Sequence, residues 1–168
     1  MSMDTISLQN AREHFEKNDP VMAKLLNDAL TAPDPIAVPK PKPVEEYFSS
    51  VVASIISQQI SVKAADSVRE RVVKHLGGVI TPESVLATDF EELKACGLSN
   101  QKTKYIKHNA EVWPTLQTQS FSSMTDEEVL QDLTSLYGIG QWTAEMFLIF
   151  SLARPNIFSY GDLGLMQG

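Results

Sequence analysis

Apolar side chains recur about every three or four residues along most of the chain, so they fall on one face of a helix. The clearest stripe runs through Phe48, Val51, Val52, Ile55 and Ile56. The strict alternation of apolar and polar residues that marks a half-buried strand is not found over any convincing length. The pattern therefore predicts an all-α fold, a bundle of helices around a shared core.

Helix-start signals divide this pattern into segments. Ser61 and Ser99 stand where an N-cap is expected, Thr125 with Glu128 forms a capping box, and Gly97 stands at an expected C-cap. The helix of residues 141–152 is apolar on almost every side, which predicts a place in the middle of the core. The predicted helices are 5–18, 21–30, 45–56, 62–76, 101–113, 126–136 and 141–152, with shorter ones opened by Thr81-Pro82 and Asp89.

A proline-rich stretch lies between the first two helices and the rest. Five prolines fall within residues 33–43, which excludes a helix or a central strand there. We interpret the stretch as an extended tether; a proline-rich recognition motif is the less common alternative. We therefore predict an N-terminal helical segment at 1–31, a linker at 32–43 and a main domain at 44–168.

The composition is that of a globular protein, with 43% apolar residues among 168. The longest apolar run, Met146–Phe150, is far shorter than a bilayer span, and the start of the chain lacks a secretory signal. Cys96 is the single cysteine, so these residues offer neither an internal disulfide nor a four-cysteine iron–sulfur cluster. The three histidines are scattered, and we expect no metal held by side chains. A cytoplasmic protein without a membrane partner is the simplest expectation.

The net charge of −7 argues against a uniformly DNA-binding surface, but the charges are unevenly placed. Four basic side chains lie within residues 63–74, and four lysines without an acid lie within 94–107. Residues 111–145 hold six carboxylates and no lysine or arginine. The two basic islands fit one local nucleic-acid-binding face, and they fit solvated helix faces equally well.

The stretch Leu136–Ala144 carries the most specific pattern. Gly138 and Gly140 flank Ile139 between two predicted helices. Such glycines permit a tight turn with positive φ, and the helix N-terminus after Gly140 presents N–H groups to an anion. Two interpretations fit this stretch alone: an ordinary helix–helix connector, and a helix-hairpin-helix element that binds the DNA backbone.

Three stretches together resemble the helix-hairpin-helix DNA glycosylases, in particular the DNA-3-methyladenine glycosylase branch. They are Ser57–Ser61 followed by Lys63-Ala64-Ala65, Cys96–Ser99 followed by Lys102, and Tyr137–Met146 followed by Asp162. They occur in the family's order and spacing. The resemblance implies an all-α base-excision repair enzyme that flips a damaged base out of duplex DNA and hydrolyses its N-glycosidic bond.

Asp162 matches the family's catalytic aspartate. A carboxylate beside the sugar would stabilise the oxocarbenium-like transition state and orient the attacking water. Taken alone, an aspartate before Leu163 is more often a turn or helix-capping residue, and the two roles can coexist. Gly161 stands where some relatives have a second carboxylate, so a mechanism with two adjacent acids is not expected.

Trp142 stands at the hairpin position where strand-nicking relatives have a lysine that forms a Schiff base. The resemblance therefore implies a monofunctional enzyme that leaves an abasic site. The indole would stack on a cationic alkylated purine, such as 3-methyladenine or 7-methylguanine, and Met146 would line the same pocket. The alternative for both side chains is core packing.

The resemblance also implies a set of DNA contacts. Gln59 and Ile60 match the side chains that fill the gap left by the flipped nucleotide, although Ile60 fits a core position equally well. Lys102, with Lys104 and Lys107, would contact the phosphate backbone. The full set of expected DNA-binding residues is Gln58, Gln59, Ile60, Ser61, Lys102, Gly138, Ile139, Gly140, Gln141 and Thr143.

The family often holds a monovalent cation on carbonyls of the hairpin, which here would be those of Thr134, Leu136 and Ile139. No other cofactor is implied, and in particular no iron–sulfur cluster. The expected partner is double-stranded DNA that contains alkylated bases, in a bacterial nucleoid or, in a eukaryote, in the nucleus.

Family members continue for several helices beyond the catalytic aspartate, whereas this sequence stops at Gly168. On that ground we expect a C-terminally incomplete domain, with its last long helix partly uncovered and available for self-association. Two alternative functions follow. One is a non-catalytic helix-hairpin-helix DNA-binding module or inactive homologue, and the other is a helical interaction domain with no role on DNA.

Overall fold

Helices account for the regular structure of the protein. The computed structural model describes residues 3–33, 35 and 39–167, and within these ranges it contains no strand, which confirms the predicted all-α fold. None of the helices in these ranges is long and apolar enough to cross a membrane. The α-helices are α1 (Met3–Asn18), α2 (Pro20–Thr31), α3 (Tyr47–Ser57), α4 (Val62–His75), α5 (Pro82–Ala87), α6 (Phe90–Ala95), α7 (Asn100–Val112), α8 (Asp126–Thr134), α9 (Gln141–Phe150) and α10 (Leu163–Gln167).

The chain divides into two compact units, residues 1–39 and residues 40–168. The first unit is the helix pair α1 and α2. The carboxylate of Asp19 caps α2 because it accepts bonds from the backbone N–H groups of Val21 and Met22. The predicted tether at 32–43 falls in part on Asp34 and Ile36–Val38, which lie outside the described residues.

Helix α3 is central to the second unit. Its apolar stripe from Phe48 to Ile56 is buried because α4, α7 and α9 all pack against it. The rest of this core comes from α4 to α9 and from the turns between them. Its largest fully buried side chains are Phe48, Phe121, Ile55, Ile56, Leu93, Ile106, Leu133, Leu148, Val52, Val72, Val85 and Val129.

The predicted capping signals are confirmed. Ser61 accepts a bond from the N–H of Ala64 and so begins α4, and Ser99 begins α7 in the same way. Thr125 and Glu128 make the two reciprocal bonds of a capping box at α8. Gly97 has φ +102° and follows Cys96, the C-cap of α6. These signals are local in the chain, which is why the sequence pattern locates them.

The predicted ends of the last two long helices and the predicted place of α9 were wrong, and α9 ends at Phe150 rather than Leu152. Helix α8 ends at Thr134 rather than Leu136, because the chain tightens there and the Leu136 N–H bonds to the carbonyl of Leu133. Helix α9 is not in the middle of the core, because α3 and α8 cover only part of its surface. Phe147 and Leu148 are buried, whereas Trp142 and Phe150 on its other side are 47% and 56% exposed.

Candidate functional site

The hairpin turn, which we define as residues 135–140 between α8 and α9, uses its two glycines differently. Gly138 has φ +77°, and a Cβ at this position would overlap the ring of Tyr105. Gly140 is extended, with φ −91° and ψ 175°, so the expected positive φ is wrong for this residue. A Cβ on Gly140 would meet no atom of the described residues within 4 Å. Gly138 is therefore required by the fold, and Gly140 is not.

A buried asparagine holds the hairpin turn. Asn109 on α7 donates from Nδ2 to the Tyr137 carbonyl at 2.9 Å, and its Oδ1 accepts from the Tyr137 N–H at 2.8 Å. The Tyr137 ring stacks on the His108 imidazole with centroids 3.8 Å apart. Asn109 is completely buried, so both bonds are shielded from water and fix the turn. Asn109 lies on the core-facing side of α7, where a polar side chain needs hydrogen-bond partners, and this position was the signal in the sequence.

Helix α9 begins at this turn without a capping side chain. Its N-cap is Gly140, whereas serine or threonine hydroxyls cap α4, α5, α7 and α8. The first N–H groups of a helix have no partner within the helix, and they carry the positive end of its dipole. Helix α9 therefore presents an exposed N-terminus that suits an anion such as a phosphate.

The side chains at the start of α9 divide between solvent and core. Ile139 and Thr143 are 6% and 8% exposed, so their side chains offer little surface to DNA. Gln141 is exposed, and its Nε2 donates to Oε1 of Glu145 at 2.9 Å. The expected contacts of this segment therefore come from the backbone of the turn and from Gln141.

Asp162 and Trp142 are joined by a hydrogen bond of 2.8 Å from the indole Nε1 to Oδ2. The other carboxylate oxygen accepts from the N–H of Leu165 at 3.0 Å and so caps α10. The indole bond, together with backbone N–H groups, lowers the pKa of Asp162 below its usual value. Asp162 is thus a capping residue, as one interpretation of the sequence had it, and also an ionised carboxylate held against Trp142.

Trp142 also lines a cavity of about 410 Å³ between the end of α3 and α9. The volume lies in the range of small-molecule sites in proteins. The exposed indole excludes the alternative that Trp142 is packed in the core. Met146, one helical turn on, is half-buried and lines the same wall. Facing residues are Lys42, Ser50, Ala53, Ser54, Ser57, Gln58 and Gln59, and the α9 side is completed by Thr143, Phe147, Phe150 and Ser151.

The loop that carries Asp162 is anchored to α9 by a residue that sequence reasoning missed. Ser159 is 1% exposed, and its hydroxyl donates to Oε2 of Glu145. Glu145 therefore bonds to both Gln141 and Ser159 and fixes the loop three residues before the carboxylate. Nothing in the local sequence distinguishes this serine from a loop serine in solvent.

The wedge loop, defined as Gln58–Ser61, connects α3 to α4. Gln59 is exposed and has φ +59°, which is uncommon for a residue other than glycine. Ile60 is 41% exposed, so the core interpretation of this residue was wrong. Gln58 is half-buried, and its Nε2 donates to the Gly138 carbonyl at 2.7 Å. Ser61 is exposed at the N-cap of α4.

Two of the three lysines expected to contact phosphates point into the protein. Lys102 donates from Nζ to the carbonyls of Ile56 and Gln58 at the end of α3, and Lys107 donates to carbonyls at the end of α5, with 2.6 Å to that of Thr88. Burial lowers the pKa of Lys102. Lys104 is exposed on the same helix. The ammonium groups of Lys102 and Lys107 therefore satisfy helix C-termini, and their contact with phosphates stays a prediction.

The hairpin carbonyls fit the expected monovalent cation in part. Among the described residues no hydrogen bond reaches the carbonyls of Thr134 and Ile139, whereas that of Leu136 accepts the Ile139 N–H at 3.3 Å. Carbonyl oxygens can replace the hydration shell of such an ion. The ranges that the structure describes contain no cluster of His, Cys, Asp or Glu side chains suited to a metal.

Comparison with known proteins gives the same family as the sequence resemblance. The family described as "HhH-GPD superfamily base excision DNA repair protein" matches residues 52–168. A curated DNA-3-methyladenine glycosylase of Saccharomyces cerevisiae is 34% identical over 94% of this chain and 57% of its own length. The chain therefore spans less than two thirds of that relative.

Two solved structures are similar in fold and in sequence. A Schizosaccharomyces pombe 3-methyladenine DNA glycosylase in complex with abasic DNA has a TM-score of 0.75 and 30% identity, over 93% of this chain and 76% of that one. A Bacillus halodurans DNA-3-methyladenine glycosidase has a TM-score of 0.71 and 38% identity, over 79% of this chain and 61% of that one.

Proposed function

Because the chain belongs to the HhH-GPD superfamily of base excision DNA repair proteins, we propose that it is a monofunctional DNA glycosylase that hydrolyses the N-glycosidic bond of alkylated purines. Its substrate would be duplex DNA that contains 3-methyladenine or 7-methylguanine, in a nucleoid or a nucleus. The names of its relatives support this substrate class, and one of them was solved with abasic DNA, the product that such a reaction leaves.

The hydrogen bond between Trp142 and Asp162 is the observation that carries the proposal. It holds the carboxylate of Asp162 against the indole that forms an aromatic wall of the cavity. A flipped purine stacked on that wall would bring its sugar towards the carboxylate, and a cationic base is attracted to an indole face. One residue thereby links recognition of the base to the group that acts on the sugar.

The proposed chemistry needs one carboxylate, and it needs no group that protonates the departing purine. The C1′–N bond breaks and its electron pair moves to the base nitrogen, so a purine cationic through alkylation leaves as a neutral molecule. Asp162 stabilises the positive charge that develops on the sugar and orients a water, which adds to C1′ and releases a proton to the carboxylate or to solvent. Trp142 offers no amine for a Schiff base, so the product is an abasic site with an intact strand.

The hairpin turn and the wedge loop would hold the duplex. A phosphate would bind the exposed N-terminus of α9, which begins at Gly140, while Gln59 and Ile60 would fill the gap left by the flipped nucleotide. The hairpin carbonyls of Thr134 and Ile139 would hold a monovalent cation, which would add positive charge beside the phosphates. We propose no iron–sulfur cluster and no other cofactor.

Release of 3-methyladenine from alkylated duplex DNA tests the proposal. We expect wild-type protein to release the base without strand cleavage, and Asp162→Asn to be slower by about a hundredfold, because the amide keeps the shape but not the charge. Glu111→Gln is the matched control, since Glu111 is an exposed carboxylate on α7. Equal release by wild type and Asp162→Asn would refute the role of Asp162.

The same assay separates the alternative functions. No release, combined with duplex binding that weakens as salt rises, would favour a non-catalytic DNA-binding module. No binding even at low salt would favour a helical interaction domain. A metal chelator should leave the release of 3-methyladenine unchanged, because the chemistry is assigned to Asp162 and water.

A further inference from the structure

The C-terminus of α3 is held by a lysine from another helix. Nζ of Lys102 lies 2.7 Å from the carbonyl oxygen of Ile56 and 2.7 Å from that of Gln58. The last carbonyls of a helix have no partner within the helix, and they carry the negative end of its dipole. Two short charge-assisted bonds therefore fix the point at which α3 passes into the wedge loop.

Gln58 continues this contact to the hairpin turn. Its carbonyl accepts from Lys102, and its side-chain Nε2 donates to the carbonyl of Gly138 at 2.7 Å. Gly138 is itself held at a positive φ next to Tyr105, in the turn that Asn109 clamps. The three residues Lys102, Gln58 and Gly138 thus form one continuous connection between α7, the wedge loop and the hairpin turn.

The position of Lys102 on its own helix argues for this inward role. Lys102 lies in the first turn of α7, where the helix dipole disfavours a positive charge. Its side chain is half-buried beside the wedge loop. The carbonyls of Ile56 and Gln58 at the end of α3 offset both disadvantages, because they accept from two of the three ammonium donors.

We infer that Lys102 and Gln58 are positioning residues that hold the wedge loop in register with the hairpin turn, so that both elements act on the same nucleotide. The inference rests on the proposed function. Outside this connection the tip of the loop has little support: Gln59 is exposed in a left-handed conformation and Ile60 is 41% exposed. Such a conformation persists only where the surroundings fix it.

The experiment separates duplex binding from insertion of the wedge. Lys102→Met and Gln58→Leu, alone and together, are compared with wild type on a duplex that carries a tetrahydrofuran abasic analogue beside 2-aminopurine. Fluorescence of the 2-aminopurine reports unstacking at the site, and anisotropy reports affinity for undamaged duplex. Release of 3-methyladenine is measured in single-turnover reactions.

We expect each single variant to reduce the unstacking signal and the single-turnover rate about tenfold, while undamaged-duplex affinity stays within about twofold. The double variant should lose no more than either single variant, because both changes interrupt the same connection. Gln58→Leu removes only one half-buried bond, so it tests the inference even if Lys102→Met fails to fold.

Lys107→Met is the matched control. Lys107 lies on the same helix and bonds to the end of α5 as Lys102 bonds to the end of α3, but it has no connection to the wedge loop among the described residues. We expect this variant to lower the melting temperature while the unstacking signal stays within about twofold of wild type. An equal loss of signal in Lys107→Met would overturn the inference, because the effect would then be general destabilisation.

Three further outcomes test the inference and separate it from the proposed function. Lower duplex affinity with a salt slope reduced by about 1 in Lys102→Met would make Lys102 a phosphate contact and overturn the inference. Losses that multiply in the double variant would overturn it as well. A wild type that unstacks the duplex but releases no base refutes the proposed function alone, and the inference then stands if the variants lose the unstacking signal.

Discussion

The indole of Trp142 faces two environments. Its ring lines the cavity between α3 and α9, and its Nε1–H donates to Asp162 at 2.8 Å. This donor is the largest cause of the lowered pKa of Asp162, because it stabilises the charged form of the carboxyl. At the scale of one residue, the side chain that would recognise the base also sets the ionisation of the acid.

Replacing Trp142 by phenylalanine should therefore change the pH dependence of catalysis. The variant keeps an aromatic ring but loses the donor, so the pKa of Asp162 rises towards its usual value. Because the carboxylate form is the active one, the acid limb of kcat/KM moves to higher pH. Profiles of 3-methyladenine release from about pH 3 to pH 8 measure this shift.

Met146→Leu serves as the control for that profile, because Met146 lines the same cavity one turn away. Its acid limb should coincide with that of wild type. If the acid limb of Trp142→Phe coincides with that of wild type, the Trp142 indole does not set the pKa of Asp162. The stability of the fold should depend on pH for the same reason. The pKa of Asp162 is lower in the folded chain than in the unfolded chain, so its carboxylate stabilises the fold above the unfolded pKa. This stabilisation is lost as pH falls through the folded pKa.

At the scale of elements, the hairpin turn is a rigid connection with one open side. Gly138 faces the ring of Tyr105, whereas Gly140 faces open space at the start of α9. The side chain of Asn109 bonds to both the N–H and the carbonyl of Tyr137. The fold therefore constrains one glycine, and the other leaves room for a ligand to approach the helix N-terminus.

Alanine at these two positions should have opposite effects. Gly138→Ala should lower the free energy of unfolding by about 2 kcal/mol or more, because the positive φ is strained and Tyr105 has to move. Gly140→Ala should change it by less than about 0.5 kcal/mol but weaken duplex binding about tenfold, because the methyl group occupies the approach to the N–H groups.

Thermal or urea unfolding and fluorescence anisotropy on undamaged duplex measure the two effects. Each glycine variant is the control for the other. A Gly140→Ala protein that binds duplex as wild type does would show that no phosphate approaches α9 at this residue.

How much of these elements the sequence predicts depends on how far apart the bonded residues lie in the chain. The caps at Ser61, Ser99 and Thr125 join residues three apart, so the pattern locates them. Asn109 and Tyr137 are 28 residues apart, and Lys102 bonds to a residue 46 positions earlier. Which distant carbonyl a lysine meets depends on how the helices pack, and the exposure of Trp142 likewise depends on what covers α9.

At the scale of the whole molecule, part of the basic charge is used inside the second unit. Arg71 donates to the Cys96 carbonyl at 2.8 Å, Arg154 donates to those of Phe121 and Met124, and Lys102 and Lys107 bond to helix ends. Some basic side chains of the two islands therefore bond to carbonyls at helix ends. This role differs from both a DNA-binding face and a solvated helix face. The chain as a whole remains acidic, with a net charge of −7.

We therefore expect duplex binding with a shallow salt dependence. Lys102 and Lys107 bond to helix ends, and the hairpin would bind phosphate through uncharged N–H groups. The logarithm of affinity should fall with that of salt concentration with a slope of about −2 to −3, which corresponds to roughly two or three neutralised phosphates. Anisotropy titrations over a range of salt concentrations measure it, and a slope near −6 would contradict this distribution of charge.

The indole beside Asp162 has a consequence for spectroscopy. The chain has two tryptophans, of which Trp113 is 8% exposed and packs edge-on against Phe48, whereas Trp142 is 47% exposed. The indole of Trp113 is therefore shielded from water, whereas that of Trp142 is in contact with water. A base that covers Trp142 would remove water from this indole alone, and the red side of the emission band would weaken. The protein thus contains an intrinsic fluorophore at the proposed base site, and ligand occupancy can be followed without a label.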